Sequence, residues 1–338
     1  MHIPDGYLSP ATAAIAYGAA APFWYQASRR VKETLRGHEA PLVALFAAFS
    51  FTVQMLNIPV PGGTTAHAVG GTLMAVVLGP WAAVIGVSTA LIIQALFFGD
   101  GGVTAIGANC FNMAIALPLA GYAVYRLIAG RAPSPGRRTL AASVGAYVGI
   151  NVAALLTGIE LGVQPILWSE GGRALYNPYG LEVTIPAMMV VHLTLAGFAE
   201  AAITGLAVAY LQRTHPLLFK QGAEAASRGL GRSGWGLVGA LAVLVVLTPL
   251  GLLAPGGADF EWGADELREL VGYVPAGIAE LGELWQWAPL RDYQLPGMPG
   301  DAAIWQQAPG YMLSAVIGVG LIFALFFMAR IVLSRRAS

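Results

Sequence analysis

The 338-residue chain is 57% hydrophobic and only 11% charged, with 43 Gly and 21 Pro, a composition that excludes an ordinary soluble domain and points to many membrane spans. Its 18 basic and 18 acidic residues balance to a formal net charge of zero without a basic block, which argues against nucleic acid as a partner. The single Cys110 excludes both a disulfide framework and a cysteine-built metal cage.

The chain opens "MHIPDGYLSP", with neither a basic n-region nor an A-x-A cleavage site, so this stretch is expected to persist in the mature protein. His2 is too large for removal of the initiator residue, and Met1 is therefore expected to remain with a free amine. Pro4 fixes a backbone angle, and Asp5-Gly6 allows a turn that folds the terminus back.

Behind the opening, apolar runs bounded by turn residues are read against the roughly 20 apolar residues that cross a hydrocarbon core. They predict nine spans: residues 9 to 29, 41 to 56, 66 to 79, 80 to 98, 105 to 129, 139 to 162, 183 to 212, 234 to 254 and 310 to 334. The third is too short to span fully, and Gly79-Pro80 after it reads as a tight reversal, because proline lacks the amide donor that continues a helix. The expected fold is all-α: a polytopic helical bundle of seven core helices plus two C-terminal ones.

Arg29, Arg30, Lys32 and Arg36 follow span one, Arg126, Arg131, Arg137 and Arg138 span five, Arg213, Lys220, Arg228 and Arg232 span seven, and Arg330, Arg335 and Arg336 end the chain. That puts 15 of 18 basic residues on alternate loops. By the positive-inside rule those loops are cytoplasmic, with the C-terminus inside. The N-terminus and residues 57 to 66, 99 to 104 and 255 to 309 then face outward.

A free amine followed by histidine has a specific chemistry. The Met1 amine, the His2 backbone nitrogen and the His2 imidazole Nδ1 close a five-membered and a six-membered chelate ring and fill three corners of a square plane. Such a nitrogen set suits Ni(II) or Cu(II), and one more imidazole completes it. His67, in "NIPVPGGTTAHAVGG", is the other outward histidine in a loop. Spacing alone leaves an idle terminal histidine open.

The opening "MHIPDG", the "NIPVPGGTTAHAVGGTLMAVVLGP" segment and the "QALFFGDGGVTAIGANCFNMA" segment, in this order over residues 1 to 215, resemble the CbiM/NikM substrate-binding components of energy-coupling-factor transporters for cobalt and nickel. The resemblance implies a site near the outer face in which Met1, His2 and His67 hold Ni(2+) or Co(2+) as cargo. It also implies a place in the cell's inner (plasma) membrane, and as partners a transmembrane coupling subunit carrying two ATP-binding-cassette ATPases. Asp100, Asn109 and Asn112 are candidate supports, since a ligating imidazole gives its other N–H to a carboxylate or carbonyl. Asp100 has capping a turn as its alternative reading, and the two asparagines have interhelical hydrogen bonding as theirs. His192 and Glu200, eight apart in span seven, read as a hydrogen-bonded pair or as a cation path.

Residues 233 to 338 form a second unit, two helices around the outward loop 255 to 309, which carries nine Asp or Glu against Arg268 and Arg291. Helix, acidic loop, helix is the layout of the family's accessory N-type subunit, with residues 216 to 232 as a cytoplasmic linker. The only lysines, Lys32 and Lys220, are followed by Glu33 and Gln221, so a phosphate-binding loop ending in Lys-Ser or Lys-Thr is absent and the chain is no ATPase. An intramembrane metalloenzyme would need a cluster such as H-E-x-x-H. A self-sufficient secondary transporter would show an inverted repeat and titratable residues near the midplane, and of these only Glu200 stands out.

Overall fold

The computed structural model describes residues 1–36, 40–60, 64–219, 234–253, 262–282, 284–299 and 302–335. His38, Gly62, Gly63, most of the linker and part of the acidic loop lie outside the described residues. Helices dominate because in lipid a backbone satisfies its own N–H and C=O groups only within a helix or a closed barrel. In chain order they are α1 (Pro10–Arg36), α2 (Ala40–Gln54), α3 (Gly71–Leu78), α4 (Pro80–Phe98), α5 (Ile106–Ala129), α6 (Pro135–Leu167), α7 (Leu181–Thr214), α8 (Trp235–Leu253), α9 (Ala264–Val271), α10 (Ala276–Leu281) and α11 (Ile304–Arg335). A hairpin of β1 (Ile58–Val60) and β2 (Thr64–Ala66), paired Ile58 to Ala66, separates α2 from α3.

Among the described residues six helices, α4 to α8 and α11, are long and apolar enough to cross a membrane. The helix α1 is 27 residues long but ends in a charged turn with Arg29, Arg30 and Lys32 exposed, and α2 has 15 residues, nearly all of them buried. The predicted third span is not a span. Its first residues belong to β2 and an extended segment, and α3 has eight residues, about 12 Å of rise. The run reads as a span because Ala, Val and Gly are apolar, but Gly70 at φ +73° delays the helix start. The chain then reverses at Gly79, whose φ of +91° only glycine adopts freely, and α4 folds back so that Gly86 packs on Met74.

The C-terminal pair is part of the same bundle. The Tyr311 hydroxyl of α11 donates to the Met55 carbonyl at 2.7 Å, and Phe51 packs against the backbone of Gly318. Tyr293, Tyr311, Phe98 and Phe51 form one buried aromatic group between α2, the C-terminal end of α4 and α11.

Candidate metal centre

The first nine residues run into the molecule. Met1, His2 and Ile3 are 0%, 1% and 0% exposed. An extended segment without sheet partners needs its backbone groups satisfied elsewhere, and the start of α5 and the turn before it supply the partners. Asn109 accepts from the Ile3 N–H at 2.8 Å and donates to the Ile3 carbonyl at 3.1 Å, as a neighbouring strand would. The Asp5 carboxylate accepts from the Val103 N–H at 3.0 Å and the Thr104 N–H at 2.7 Å. Gly6, at φ +83°, lies so close to the Gly277 carbonyl and Ile278 that a Cβ would stand 2.5 Å from the former. Ser9 then caps α1 by accepting from the Thr12 N–H at 3.0 Å, with Pro10 as the first helical residue.

His67 reaches the same place from the segment between β2 and α3. It is 1% exposed, and its ring stacks on that of His2 with centroids 4.7 Å apart and planes 25° apart. Its Nδ1 lies 3.1 Å from the Ala68 carbonyl, which fixes the proton on that nitrogen. Nε2 is then a bare lone pair, buried and without a hydrogen-bond partner among the described residues. Burial, followed by the charges of the chain's amino terminus and of His2, holds the imidazole well below its usual range, so it is neutral.

Two buried carboxylates organise the surroundings. Asp100 sits 2.8 Å from His2 Nδ1, and its other oxygen accepts from the Tyr293 hydroxyl. Burial alone would raise the Asp100 pKa, but the charge and hydrogen bond of His2, then the hydrogen bond from Tyr293, bring it below its ordinary value. Glu200 of α7 accepts from the Val69 N–H at 2.7 Å and from the Gly70 N–H at 3.0 and 3.1 Å, at the N-terminus of α3. The His67 segment is thus pinned to α7, two residues beyond the histidine.

The sequence candidates divide as follows. Met1, His2, His67, Asp100 and Asn109 come together. Asn112 does not: it donates to Thr157 at 3.1 Å and to Glu160 at 2.7 Å, an interhelical role, because a π-helical stretch at Cys110–Ala116 turns it towards α6. Asp100 meets Nδ1 of His2, the nitrogen the chelate requires, instead of the opposite nitrogen at which a supporting carboxylate was expected. His192 and Glu200 do not pair with one another. The His192 Nδ1 lies 2.7 Å from its own helix's Met188 carbonyl, and its buried Nε2 has no partner among the described residues. His192 nevertheless contributes to the field at His67, and Met1 packs with Met188 and Ala196 on either side of it. Tyr293, which sequence reasoning missed, is separated from Asp100 by 193 residues, and its only local sign is a tyrosine in a polar turn. Among the described residues no three His, Cys, Asp or Glu side chains converge as a metal-binding group.

Residues 2–218 match the family "Cobalt uptake substrate-specific transmembrane region", and residues 233–335 match the PDGLE domain. The chain is similar to the fused nickel transport protein NikMN of Rhodobacter capsulatus, 49% identical over 96% of this chain and 95% of that one. It is similar also to the probable fused nickel transport protein LarMN of Lactiplantibacillus plantarum, 43% identical over 96% of each. The cobalt transport protein CbiM of Geobacter sulfurreducens is 36% identical over 79% of this chain and 75% of its own length. A crystal structure described as a transition metal transporter superposes with a TM-score of 0.60 at 53% identity, covering 63% of this chain and 93% of that one.

Proposed function

This chain belongs to the CbiM family of cobalt-uptake substrate-specific membrane proteins, a transporter component and not an enzyme, and from that premise we propose that Met1, His2 and His67 capture Ni(2+) or Co(2+) at the outer face. The observation that carries the reading is the buried amino terminus. Met1 lies wholly inside the protein, and its amino terminus acts electrostatically on the His67 imidazole and the Asp100 carboxylate. Deprotonated, the amine is a ligand. Together with the His2 amide, His2 Nδ1 and the bare Nε2 of His67 it offers four nitrogens, two of them from the main chain. For His2 to give Nδ1, its ring must leave Asp100, so the metal replaces the carboxylate as that nitrogen's partner. A plane containing a deprotonated amide suits the Ni(II) ion best, because tetragonal nitrogen ligation is its preferred geometry.

The chain holds the cargo and others supply the work. Delivery inward requires a separate coupling subunit with two ATPases, since the sequence has no phosphate-binding loop. Residues 1 to 215 form the metal-binding unit, 216 to 232 the linker and 233 to 338 the accessory unit, whose loop faces outward. The test is calorimetric titration of NiCl2 and CoCl2 into the native protein, a form extended by one residue before Met1, and His67→Ala. The native chain should bind tightly and the other two should not. Full-strength binding by the extended form would remove the amino terminus from the site.

A further inference from the structure

Tyr293 belongs to the accessory unit, in the outer segment between α10 and α11, yet it is 1% exposed. Asp292 and Tyr293 have φ of 55° and 60°, a left-handed pair that non-glycine residues avoid unless the surroundings hold them there. What holds Tyr293 is visible. Its ring stacks on Phe98 with centroids 4.9 Å apart and meets Tyr311 edge-on at 5.3 Å, and its carbonyl accepts from Ser314 of α11 at 2.9 Å. Its hydroxyl accepts from Gln94 Nε2 at 3.1 Å, which leaves the hydroxyl proton directed at Asp100. The remaining oxygen of Asp100 takes His2 Nδ1. A continuous line of polar contacts therefore runs from the accessory unit to the second residue of the chain, a hydrogen bond from Tyr293 to Asp100 and a 2.8 Å approach of Asp100 to His2 Nδ1.

We propose that Tyr293 is a positioning residue of the metal site, through which the accessory unit sets how firmly Asp100 holds His2 and hence how readily His2 turns to a metal. The proposal rests on the reading that Met1, His2 and His67 take the ion. His2 Nδ1 has one lone pair or one proton to offer, so it serves Asp100 or the metal and not both. With the hydroxyl in place, part of the carboxylate's charge is satisfied by the accessory unit, and Asp100 keeps a partner when His2 leaves. Without the hydroxyl, Asp100 loses one donor, more of its demand falls on His2 and the nearby amino terminus, and departure of His2 leaves the carboxylate less well satisfied than in the native chain. Partners of ligating groups act on metal affinity in this way, by about 10- to 100-fold.

The experiment is titration of NiCl2 into the full chain as native protein, Tyr293→Phe, Asp100→Asn and the double variant, with thermal melting of each. Tyr293→Phe retains the ring contacts, and it should weaken nickel binding by about tenfold. In the Asp100→Asn background the same substitution should change affinity by less than about twofold, because the two residues act through one bond. Nickel binding by Tyr293→Phe at native strength overturns the proposal, as does an equal loss with and without the Asp100 carboxylate, which is what a merely structural role would give. If Tyr293→Phe melts far below the native chain, Gln94→Met replaces it, since losing the second bond frees the hydroxyl to turn away from Asp100. Weaker nickel binding then supports the proposal, and unchanged binding overturns it. His67→Ala separates the two levels: if that variant binds nickel normally, the site reading fails whatever Tyr293 does.

Discussion

The two pieces of chain that meet at the candidate metal centre are held in different ways. Residues 1 to 9 are tied at several points, by Asn109 of α5 on Ile3, by Gln164 of α6 on Ser9 at 3.0 Å, and by their own Asp5 on the Val103 and Thr104 N–H groups. The His67 segment is tied over two residues, by the buried Glu200 carboxylate of α7 and by the Ser50 hydroxyl of α2, which donates to the Val69 carbonyl at 2.7 Å. The first attachment is spread over three side chains. The second concentrates three hydrogen bonds on one carboxylate, so loss of that single group should be felt more strongly than loss of any one tie of the first.

The comparison breaks most completely if either half of the donor set is removed. A single residue added before Met1 turns the amine into an amide, and His67→Ala removes the bare Nε2. Each should lower nickel affinity by more than about 100-fold, beyond the 10- to 100-fold usual for supporting partners. Calorimetry reads both, with the thermal midpoint of each metal-free protein measured beside it.

Next in size are the supports themselves, which should differ in kind. Glu200→Gln replaces two acceptor oxygens by one and leaves Val69 and Gly70 competing for it, so both stability and nickel affinity should fall, the former by about 1–3 kcal/mol. Asn109→Leu unpairs the Ile3 N–H, while the Ile3 carbonyl keeps the Gly102 N–H at 2.8 Å, and it should lower nickel affinity by about tenfold. Denaturant or thermal unfolding beside nickel titration distinguishes the two. The contrast between a support concentrated on one carboxylate and one spread over several groups is wrong if Glu200→Gln leaves affinity at the native value.

Acidification sharpens the comparison further, with a definite sign. His67 is held below its usual value, so the unfolded chain binds the extra proton first. The stability this neutral ring contributes is complete above about pH 6.5 and declines as pH falls below it. Asp100, also held below its ordinary value, contributes stability present above about pH 3.9 and lost as pH falls through its folded pKa. The melting midpoint of metal-free protein should drop between pH 7 and pH 5 in the native chain and drop less in His67→Ala. Nickel affinity should fall over the same interval, because the amine and both imidazoles must be deprotonated to coordinate.

The smallest effect belongs to Asn112. Its partners are Thr157 and Glu160 on α6, so Asn112→Ala should leave nickel affinity within about twofold of native while costing about 1–3 kcal/mol for the buried partner left behind. Unfolding and titration on one sample separate these outcomes.

Composition, the basic loops and the three motifs were enough to read a membrane metal-transport component of this family, because apolar run length is set by the bilayer, and the chelating chemistry of a chain terminus is local enough to propose Met1, His2 and His67 from the sequence. Asn109 was legible as a support for the same reason: it lies in a motif beside the site. The misreadings came where distant segments meet or where the backbone departs from regular geometry. The run 66 to 79 is apolar enough to count as a span, yet its first residues carry His67 in an extended segment, since Gly70 turns left-handed ahead of α3. Asn112 shares a helical face with Asn109 at ordinary spacing, and a π-helical stretch removes it. His192 and Glu200 stand eight apart on one helix, yet each finds backbone partners instead of the other.

What the sequence determined by itself is which atoms are capable of binding the ion, since donors are a property of residue type and of the free amine. Which partner each donor has was decided by tertiary structure alone. Asp100 on His2 Nδ1, Glu200 on the His67 segment and Tyr293 on Asp100 are contacts across 98, 131 and 193 residues. In a dry interior every polar group must find a partner wherever packing brings one within reach, and that search is settled by the whole bundle and leaves no periodicity for a sequence to display.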